Sequence, residues 1–375
     1  MTCTLCERVA KFHSFQERRL LTVHGELTVR RAYYYCQRCH QSYCPYDEVL
    51  GLHDGLTPGL RPLVCLAGTL VPFADAAEDV LRRYAHVRLS ASTVLRCTEA
   101  EGERLRAQQK EGRMVQPTQP ERGWTAAREA GPPAAYVGLD AFSVPMQGAG
   151  GGAAEHRMLY VGLLYTPDKE HTRYLVDFEL ESLAEQVRAQ TRAVGVTEVK
   201  DLVAITDGGN GLEEALQRHL ADNLPLVLDW YHAAEHLCDF AAVLHPRDEA
   251  ARAAWSGQAK GLLYEHGGEA LLRHLHALTL APGASSEVKE EWRKLLGYFE
   301  NNRHRTDYPT YRARGWDIGS GPTEAGCKII GERLKGSGMR WVEEGAATVA
   351  ALRALYVSGP KLWDGFWAQP HRPAA

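Results

Sequence analysis

Hydrophobic and polar positions follow two different periods along the chain, and the change of period separates its regions. Near the N-terminus, LTVHGELTVRRAYYYC alternates with a period of two, which predicts two strands with Gly25 at the turn. From Leu60 to about Lys110 the period is helical, and FADAAEDVLRRYAHVRLSASTVLRCTEAEGERL predicts one helix, a short turn and a second helix. Ser90 or Ser92 is the expected N-cap of the second helix.

A second region begins after a stretch rich in proline, glycine and charge, QQKEGRMVQPTQPERGWTAAREAGPPAA, which predicts a linker. AYVGLD, RMLYVGLLYT and TRYLVDFEL then predict three strands of an antiparallel meander. ESLAEQVRAQTRAVGV and GLEEALQRHLA predict helices, and DLVAITD and LPLVLDW predict further strands. The β-β-β-α-β-α-β succession indicates an α/β fold with a mixed sheet and helices packed on it. From Ala233 to about Asn301 the pattern is helical, and a glycine-rich turn then precedes a helix that carries Glu324.

Composition adds that the chain is of an ordinary soluble, globular type. Its 375 residues suffice for two or three domains, with 45% hydrophobic and 24% charged residues. No apolar run reaches the length of a membrane span, and MTCTLCERVAKF has no apolar core of a secretory signal. The nine cysteines are an odd number in a chain without such a signal, which disfavours a disulfide framework.

Charge is unevenly distributed. The whole chain has a formal net charge of −4, but the segment 302–340 is net positive. A local basic patch can bind a polyanion, although a solvated basic surface would have the same composition. The eight basic residues of the segment are Arg303, Arg305, Arg312, Arg314, Lys328, Arg333, Lys335 and Arg340, against the acids Asp307, Asp317, Glu324 and Glu332.

Two CxxC pairs, Cys3 with Cys6 and Cys36 with Cys39, flank the predicted hairpin. Two such knuckles can supply four thiolates in tetrahedral geometry, which suits a structural Zn²⁺. The remaining cysteines lack partner spacing and are expected to pack in the interior: Cys44, Cys65, Cys97, Cys238 and Cys327.

The predicted helical pair of residues 60–110 has two interpretations. As a helix-turn-helix it would present Ser92, Thr93 and Arg96 to a DNA groove. As a plain helical hairpin it would have no such role, and the sequence does not separate the two.

Carboxylates end two of the predicted strands. Asp140 follows the first strand and Asp207 the fourth, and Glu324 lies on the first turn of a late helix. Hard oxygen ligands suit Mg²⁺ or Mn²⁺. Two such ions about 3.5–4 Å apart can activate an attacking oxygen and stabilise a leaving one in phosphoryl displacement. An isolated aspartate after a strand often caps a helix. The hypothesis of a two-metal site therefore depends on all three acids occurring in this order within one α/β region.

The stretch LDWYHAAEHL contains H-x-x-E-H, the inverted zinc-peptidase motif, formed by His232, Glu235 and His236. Residues four apart share a helix face, so both histidines could bind one zinc ion. A third ligand could come from Glu265, Glu269 or Glu287. This interpretation leaves the strand-end aspartates and the cysteine pairs unexplained.

Four stretches together resemble the DDE transposases of bacterial insertion sequences, specifically the ISKra-type family. They are the CxxC knuckles with YCPYDEVLGL, VGLDAF, ITDGGNGL with LVLDWYHAAEHL, and NNRHRTDYPTYRARGWDIGSGPTEAGCKIIGERLKGSGMRWVEEGA. The resemblance implies an RNase H-like core, interrupted by a helical insertion between the second aspartate and the glutamate. It implies the catalytic triad Asp140, Asp207 and Glu324, holding two Mg²⁺ or Mn²⁺ ions, with Asp229 and His232 near the rim of that site.

The resemblance also implies a function and its partners. The chain would bind the terminal inverted repeats of its element, cleave DNA and join the freed 3′-hydroxyl to target DNA, acting as a homo-oligomer without a membrane partner. We would then expect it in the cytoplasm, associated with the nucleoid when it acts on DNA. A catalytically inactive DNA-binding derivative and the zinc metallopeptidase are the alternatives. Basic and aromatic residues after the glutamate would contact phosphates or stack on a base, unless Trp341 is buried: Lys328, Arg333, Lys335, Arg340 and Trp341.

The expected domain organisation follows from these motifs. It comprises a zinc ribbon (1–55), a small helical, helix-turn-helix-like domain (56–112), a linker (113–135), the first part of the core (136–232), the helical insertion (233–305), the C-terminal helices of the core (306–367) and a tail (368–375).

Overall fold

A computed structural model gives the structure of the chain at nearly all positions, and it divides the chain into two compact units. The described residues are 1–3, 5–52, 55–209 and 211–369. The first unit comprises Met1–Ala107, Glu343–Arg353 and Asp364–Ala375, and the second comprises Gln108–Val342 and Ala354–Trp363. From residue 370 on, the predicted tail lies outside the described residues.

The first unit begins with the predicted hairpin. Strands β1 and β2 are antiparallel, and Thr22 pairs with Gly25, whose φ of 113° is a conformation that favours glycine. The turn prediction is therefore confirmed. The elements that start in this unit's N-terminal part are β1 (Lys11–Thr22), β2 (Gly25–Tyr35), β3 (Ser42–Tyr43), α1 (Pro45–Val49), α2 (Arg61–Leu70), α3 (Phe73–Asp75) and α4 (Ala91–Lys110).

The predicted helical pair is present in the first unit. Helix α3 continues as a π-helix over Ala76–Tyr84, which the sequence pattern did not indicate. Helix α4 begins at Ala91, and the Ser90 Oγ accepts a hydrogen bond from the Thr93 backbone N at 3.2 Å. Ser90 is thus the N-cap, one of the two residues expected in that role.

The segment predicted as a linker is folded into the second unit. It contains helix α5 (Arg122–Ala130), in which Trp124 is buried. The Arg173 guanidinium lies 5.4 Å from the Trp124 ring and forms an ion pair with Glu121. These contacts join residues about fifty positions apart, so a composition rich in proline and glycine could not reveal them.

The centre of the second unit is a mixed sheet, as predicted. Its order is β6-β5-β4-β7-β8 within the described residues; β4-β5 and β5-β6 are antiparallel, whereas β4-β7 and β7-β8 are parallel. The antiparallel meander of the first three strands is confirmed. The strands are β4 (Ala135–Val144), β5 (Arg157–Tyr165), β6 (Thr172–Asp177), β7 (Leu202–Thr206) and β8 (Leu226–Leu228).

Helices cover both faces of this sheet. Val137 and Leu139 belong to one hydrophobic cluster with α6 and α7, and Tyr136 belongs to another with α8 to α11. Side chains alternate between the faces of a strand, so successive residues of β4 enter different clusters.

The remaining helices of the chain follow in order. They are α6 (Leu180–Ala193), α7 (Leu212–His219), α8 (Trp230–Leu244), α9 (Glu249–Ala277), α10 (Ser286–Asn301), α11 (Tyr308–Ala313), α12 (Gly321–Leu334), α13 (Glu343–Val357) and α14 (Pro360–Ala368).

Within the described part of the chain, no helix combines the length and the apolar character that crossing a bilayer requires.

Candidate active site

Two of the predicted acids hold equivalent positions relative to the pairing of neighbouring parallel strands. β4 and β7 are paired in register as far as Gly138 and Ile205. Asp140, within β4, and Asp207, directly after β7, each come two residues further along the chain. Since strands in a sheet lie about 4.8 Å apart, and residues two apart share a face, the backbone places these two carboxylates side by side.

A third aspartate extends the row to β8. Thr206 pairs with Leu228, and the next residue, Asp229, donates its backbone N–H to the Thr206 carbonyl at 2.8 Å. The register therefore aligns Asp140, Asp207 and Asp229 across three adjacent parallel strands. Asp207 and Asp229 directly follow β7 and β8, but Asp140 lies within β4, which continues to Val144, so the prediction that the first strand ends at Asp140 is wrong. The family resemblance implied only an accessory place for Asp229. We call this row, together with Glu324, the carboxylate edge.

Asp229 is fully buried, and its side chain caps helix α8. Its Oδ1 accepts hydrogen bonds from the backbone N–H groups of Tyr231 and His232, the latter at 2.9 Å. Its exposed fraction is 0%. A carboxylate at the N-terminal end of a helix satisfies free donors and interacts favourably with the helix dipole.

The other oxygen of Asp229 ties the edge to helix α12. The Ser320 backbone N–H donates to Asp229 Oδ2, and the Ser320 hydroxyl donates to Glu324 Oε1 at 3.0 Å. Ser320 is the residue before α12, and Glu324 lies in the first turn of that helix. One buried aspartate thus fixes the end of β8, the start of α8 and the start of α12.

Helix α12 packs directly on β4. A methyl group added at Gly138 would lie 1.9 Å from the Thr323 Oγ1, so the missing side chain permits the close approach. One turn after Glu324, burial raises the pKa of the Cys327 thiol, and the Asp140 carboxylate, to which it is hydrogen-bonded, raises it further. Cys327 therefore stays protonated and connects the helix of Glu324 to Asp140.

The side chains that already form a ligand group differ from the predicted triad. One ligand atom each from Asp229, His232 and Glu324 lie within 4.8 Å of one another. Among the described residues, neither Asp140 nor Asp207 belongs to such a group. The backbone register aligns these two acids with the group, but their side chains do not converge with Glu324 in this conformation.

The surroundings of Asp207 come from helices α8 and α10. Its Oδ1 accepts from the Gly209 backbone N–H at 2.8 Å, and the Tyr298 hydroxyl donates to its carbonyl at 3.2 Å. The His236 ring centroid lies 4.0 Å from that of Tyr298. Burial against Tyr298 lowers the pKa of His236, opposed by the carboxylates of Asp239, Glu235 and Asp207, while His232 lowers it further.

A buried arginine supports β7 beneath Asp207. Arg305 is 4% exposed, and its Nη1 donates to the Thr206 Oγ1 at 2.8 Å. Its guanidinium also contacts Asn302 and lies 3.4 Å from Glu213 Oε2. The sequence shows Arg305 only as a member of the basic segment, because the contact to Thr206 joins residues far apart along the chain.

Much of the basic segment is engaged within the protein. Arg303 and Arg312 form ion pairs with Glu269 and Glu265, and Arg314 lies over the Trp316 ring. The exposed members of the segment beyond Glu324 are Lys328, Lys335 and Arg340. These three remain the candidates for contact with a polyanion.

Two residues expected to touch DNA are buried instead. Trp341 is 8% exposed, and its indole N–H donates to the Leu334 carbonyl at 2.9 Å. Arg333 is 3% exposed, with its guanidinium 5.1 Å from the Trp341 ring. This corrects the expectation for both side chains, because packing on the end of α12 removes them from the surface.

In the first unit, the candidate groove-contacting residues lie at the start of α4. Ser92 and Arg96 are exposed and Thr93 is half-buried. Their positions agree with a helix that offers these side chains to solvent, and binding to DNA stays a prediction.

The N-terminal cysteines converge as their spacing predicted. The Sγ atoms of Cys3 and Cys39 are 3.4 Å apart, and those of Cys6 and Cys36 are 3.6 Å apart. All four form one ligand group that could hold a structural zinc ion. Hydrogen bonds from the backbone N–H groups of Cys39 and Arg38 lower the pKa of Cys36 to about 6, which favours its thiolate form.

In the part of the chain that the structure describes, the two histidines of the peptidase motif do not converge on a common ligand group. Among the described residues, no three-ligand group contains both His232 and His236. His232 joins Asp229 and Glu324, whereas the His236 ring packs on Tyr298. The pattern H-x-x-E-H here belongs to helix α8, whose N-terminus is capped by Asp229.

These features define a mixed α/β protein with a row of carboxylates across three of its parallel strands and a cysteine cluster near its N-terminus. The chain belongs to the uncharacterised protein family UPF0236, whose family model matches residues 7–370. No curated protein matches the chain.

Proposed function

We propose that this member of UPF0236 is a DDE transposase, which cleaves DNA at the ends of an insertion sequence and joins those ends to target DNA. The observation that carries the proposal is the register of β4 and β7, in which Asp140 and Asp207 come at the same distance beyond Gly138 and Ile205. The sheet order β6-β5-β4-β7-β8 is compatible with an RNase H-like core. Helices α8 to α10 would form the insertion within it.

The residues at the carboxylate edge suit divalent ions. Asp140 and Asp207 each use one oxygen for a backbone N–H, from Ala141 at 2.6 Å and Gly209 at 2.8 Å. Asp207 keeps a second oxygen for an ion, Asp140 is also hydrogen-bonded to the Cys327 thiol, and Glu324 is exposed. Oxygen ligands of this kind are those that Mg²⁺ and Mn²⁺ prefer.

Each part of the edge would have a distinct task. Asp140, Asp207 and Glu324 would bind two ions, which supply activation of the attacking oxygen and charge stabilisation at the leaving one. Ser320, held by Asp229, would orient the Glu324 carboxylate. Lys328, Lys335 and Arg340 are exposed cations close in sequence to Glu324 and would contact phosphates.

The first unit would contribute recognition of the element's terminal inverted repeats. The four-cysteine cluster would hold a structural zinc ion and fix the hairpin. Helix α4 would present Ser92, Thr93 and Arg96 to a groove. Homo-oligomerisation on DNA belongs to the same proposal.

The test is an assay of DNA cleavage and joining with the full chain. DNA carrying the inverted repeats that flank the coding sequence is incubated with the protein, Mg²⁺ or Mn²⁺ and a target plasmid. We expect nicked ends and joined products with the wild type and none with Asp207→Ala. Asp201→Ala is the matched control, since Asp201 precedes the opposite end of β7, and it should remain active.

Three results would count against the proposal. A wild type that binds the repeats but never cleaves them would favour the inactive DNA-binding derivative. A wild type that neither binds nor cleaves would remove the proposal altogether. Equal activity of Asp207→Ala and Asp201→Ala would show that any cleavage occurs elsewhere.

A further inference from the structure

We propose that Asp229, His232 and Glu324 form a binding site for a divalent transition-metal ion, in which the His232 ring supplies a nitrogen ligand. The site shares Glu324 with the proposed catalytic acids. The inference nevertheless goes beyond the proposed function, because an ion can bind here whether or not the protein cuts DNA.

The geometry needs only small movements to enclose an ion. One ligand atom from each side chain already lies within 4.8 Å of the others. Metal bonds of about 2.0–2.2 Å to nitrogen and oxygen place adjacent ligands roughly 3–4 Å apart. Glu324 is exposed and His232 is half-buried, so both can move by rotation about side-chain bonds while Asp229 stays fixed.

The buried carboxylate of Asp229 is the strongest sign of a cation. It is 0% exposed and has no ion-pair partner among the residues that the structure describes. Its three backbone N–H donors, from Tyr231, His232 and Ser320, leave one of its four acceptor positions open. Burial of a carboxylate without a counter-charge is costly, and the helix dipole of α8 offsets only part of that cost.

The ligand set decides the class of ion. Carboxylates alone suit Mg²⁺ or Mn²⁺, whereas an imidazole nitrogen favours ions such as Zn²⁺, Fe²⁺ or Ni²⁺. His232 and Asp229 reach the site because they are the cap residue and the third residue of one helix start. A mixed set of one nitrogen and two carboxylates therefore indicates a transition metal at this position, beside the all-oxygen acids of β4 and β7.

The experiment uses the full chain with one equivalent of zinc, which the four thiolates of the cysteine cluster bind first, and Mn²⁺ as the paramagnetic probe of the second site. Calorimetry measures affinity, and pulsed electron paramagnetic resonance detects nitrogen bonded to the manganese. We expect a bound Mn²⁺ with nitrogen coupling in the wild type. His232→Ala should abolish the coupling and weaken binding at least about tenfold. The substitution keeps the backbone N–H of residue 232, so its hydrogen bond to Asp229 Oδ1 can still form. Circular dichroism checks that the variant is folded.

Two further variants make the result specific. His236→Ala, one turn along the same helix, should keep both the affinity and the nitrogen coupling. His232→Asp should keep much of the affinity through an oxygen ligand but lose the coupling. The inference is overturned if wild type binds no Mn²⁺, binds it without nitrogen coupling, or retains that coupling in His232→Ala. Mn²⁺ binding without any DNA cleavage would instead count against the transposase proposal alone.

Discussion

The four-cysteine cluster and the carboxylate edge gather metal-type ligands by contrasting routes. Cys3 and Cys6 lie on one knuckle and Cys36 and Cys39 on another, with a single hairpin between them. The edge takes its acids from three strands and a late helix, between Asp140 and Glu324. The cysteine ligands follow from local spacing, whereas the edge exists only once the sheet has its order.

The two regions also differ in chemistry. Four sulfurs close a tetrahedral site and leave no position for a substrate, which is typical of structural zinc. Carboxylates at strand ends leave positions open, and Glu324 is exposed. We therefore expect substitutions in the cluster to affect folding, and substitutions at the edge to affect metal binding and reaction.

The largest effect is expected in the cluster. Cys36→Ser removes one thiolate, and because zinc binding in small domains contributes about 10–16 kcal/mol to their folded state, the hairpin should lose both its zinc and its order. Metal analysis and NMR of the first fifty residues provide the measurement. Cys238→Ser, outside any ligand group of the described residues, is the control and should keep its zinc. Full zinc content in Cys36→Ser would contradict the assignment of a structural zinc site to the four cysteines.

A smaller loss of stability is expected when a methyl group is added where helix α12 packs on β4, next to the carboxylate edge. Gly138→Ala would place a methyl group 1.9 Å from the Thr323 Oγ1, and overpacking of this kind costs about 1–3 kcal/mol. The measurement is the free energy of unfolding in urea.

Two companions sharpen this prediction. Gly297→Ala adds a methyl group with no atom within 4 Å on helix α10, and it should be neutral or stabilising. Thr323→Ala should restore part of the stability lost in Gly138→Ala. If Gly138→Ala is as stable as Gly297→Ala, the close packing of α12 on β4 does not hold the edge.

The smallest effect concerns pH. The pKa of His236 is lowered mainly by burial, so the unfolded chain takes up this proton first as pH falls. The burial of neutral His236 contributes fully to the stability of the folded protein above the ordinary histidine pKa of about 6.5. This contribution is lost as pH falls below that value, because protonation favours the unfolded chain. The NMR titration of His236 should have its midpoint below that of the urea-unfolded chain. Tyr298→Leu should move the midpoint upward, and a midpoint at or above the unfolded value would contradict the packing.

Much of the fold could be predicted from the sequence, because hydrophobic period is a local property. The strands ending near Asp207 and Asp229 and the helices between them are where the pattern predicted them. Helix α5 could not be predicted, because Trp124 is buried through contacts with Arg173, about fifty residues away. The π-helix after α3 also departs from the simple helical period.

The candidate site was predictable only in part, for the same physical reason. Asp140 and Asp207 were predicted as strand-end acids, and the register aligns them, although β4 continues beyond Asp140 to Val144. The central place of Asp229 depends on its bond to Ser320, ninety-one residues away. The burial of Arg305 and Trp341 depends on contacts with Thr206 and Leu334, which charge counts along the chain cannot reveal.

The central claim is that Asp140, Asp207 and Glu324 share divalent ions, and anomalous diffraction from crystals of the protein with DNA ends and Mn²⁺ tests it most directly. We predict manganese bonded to the carboxylates of all three residues. Side chains of Asp140 and Asp207 that stay apart with no manganese between them, in crystals that contain both Mn²⁺ and DNA, would contradict the account.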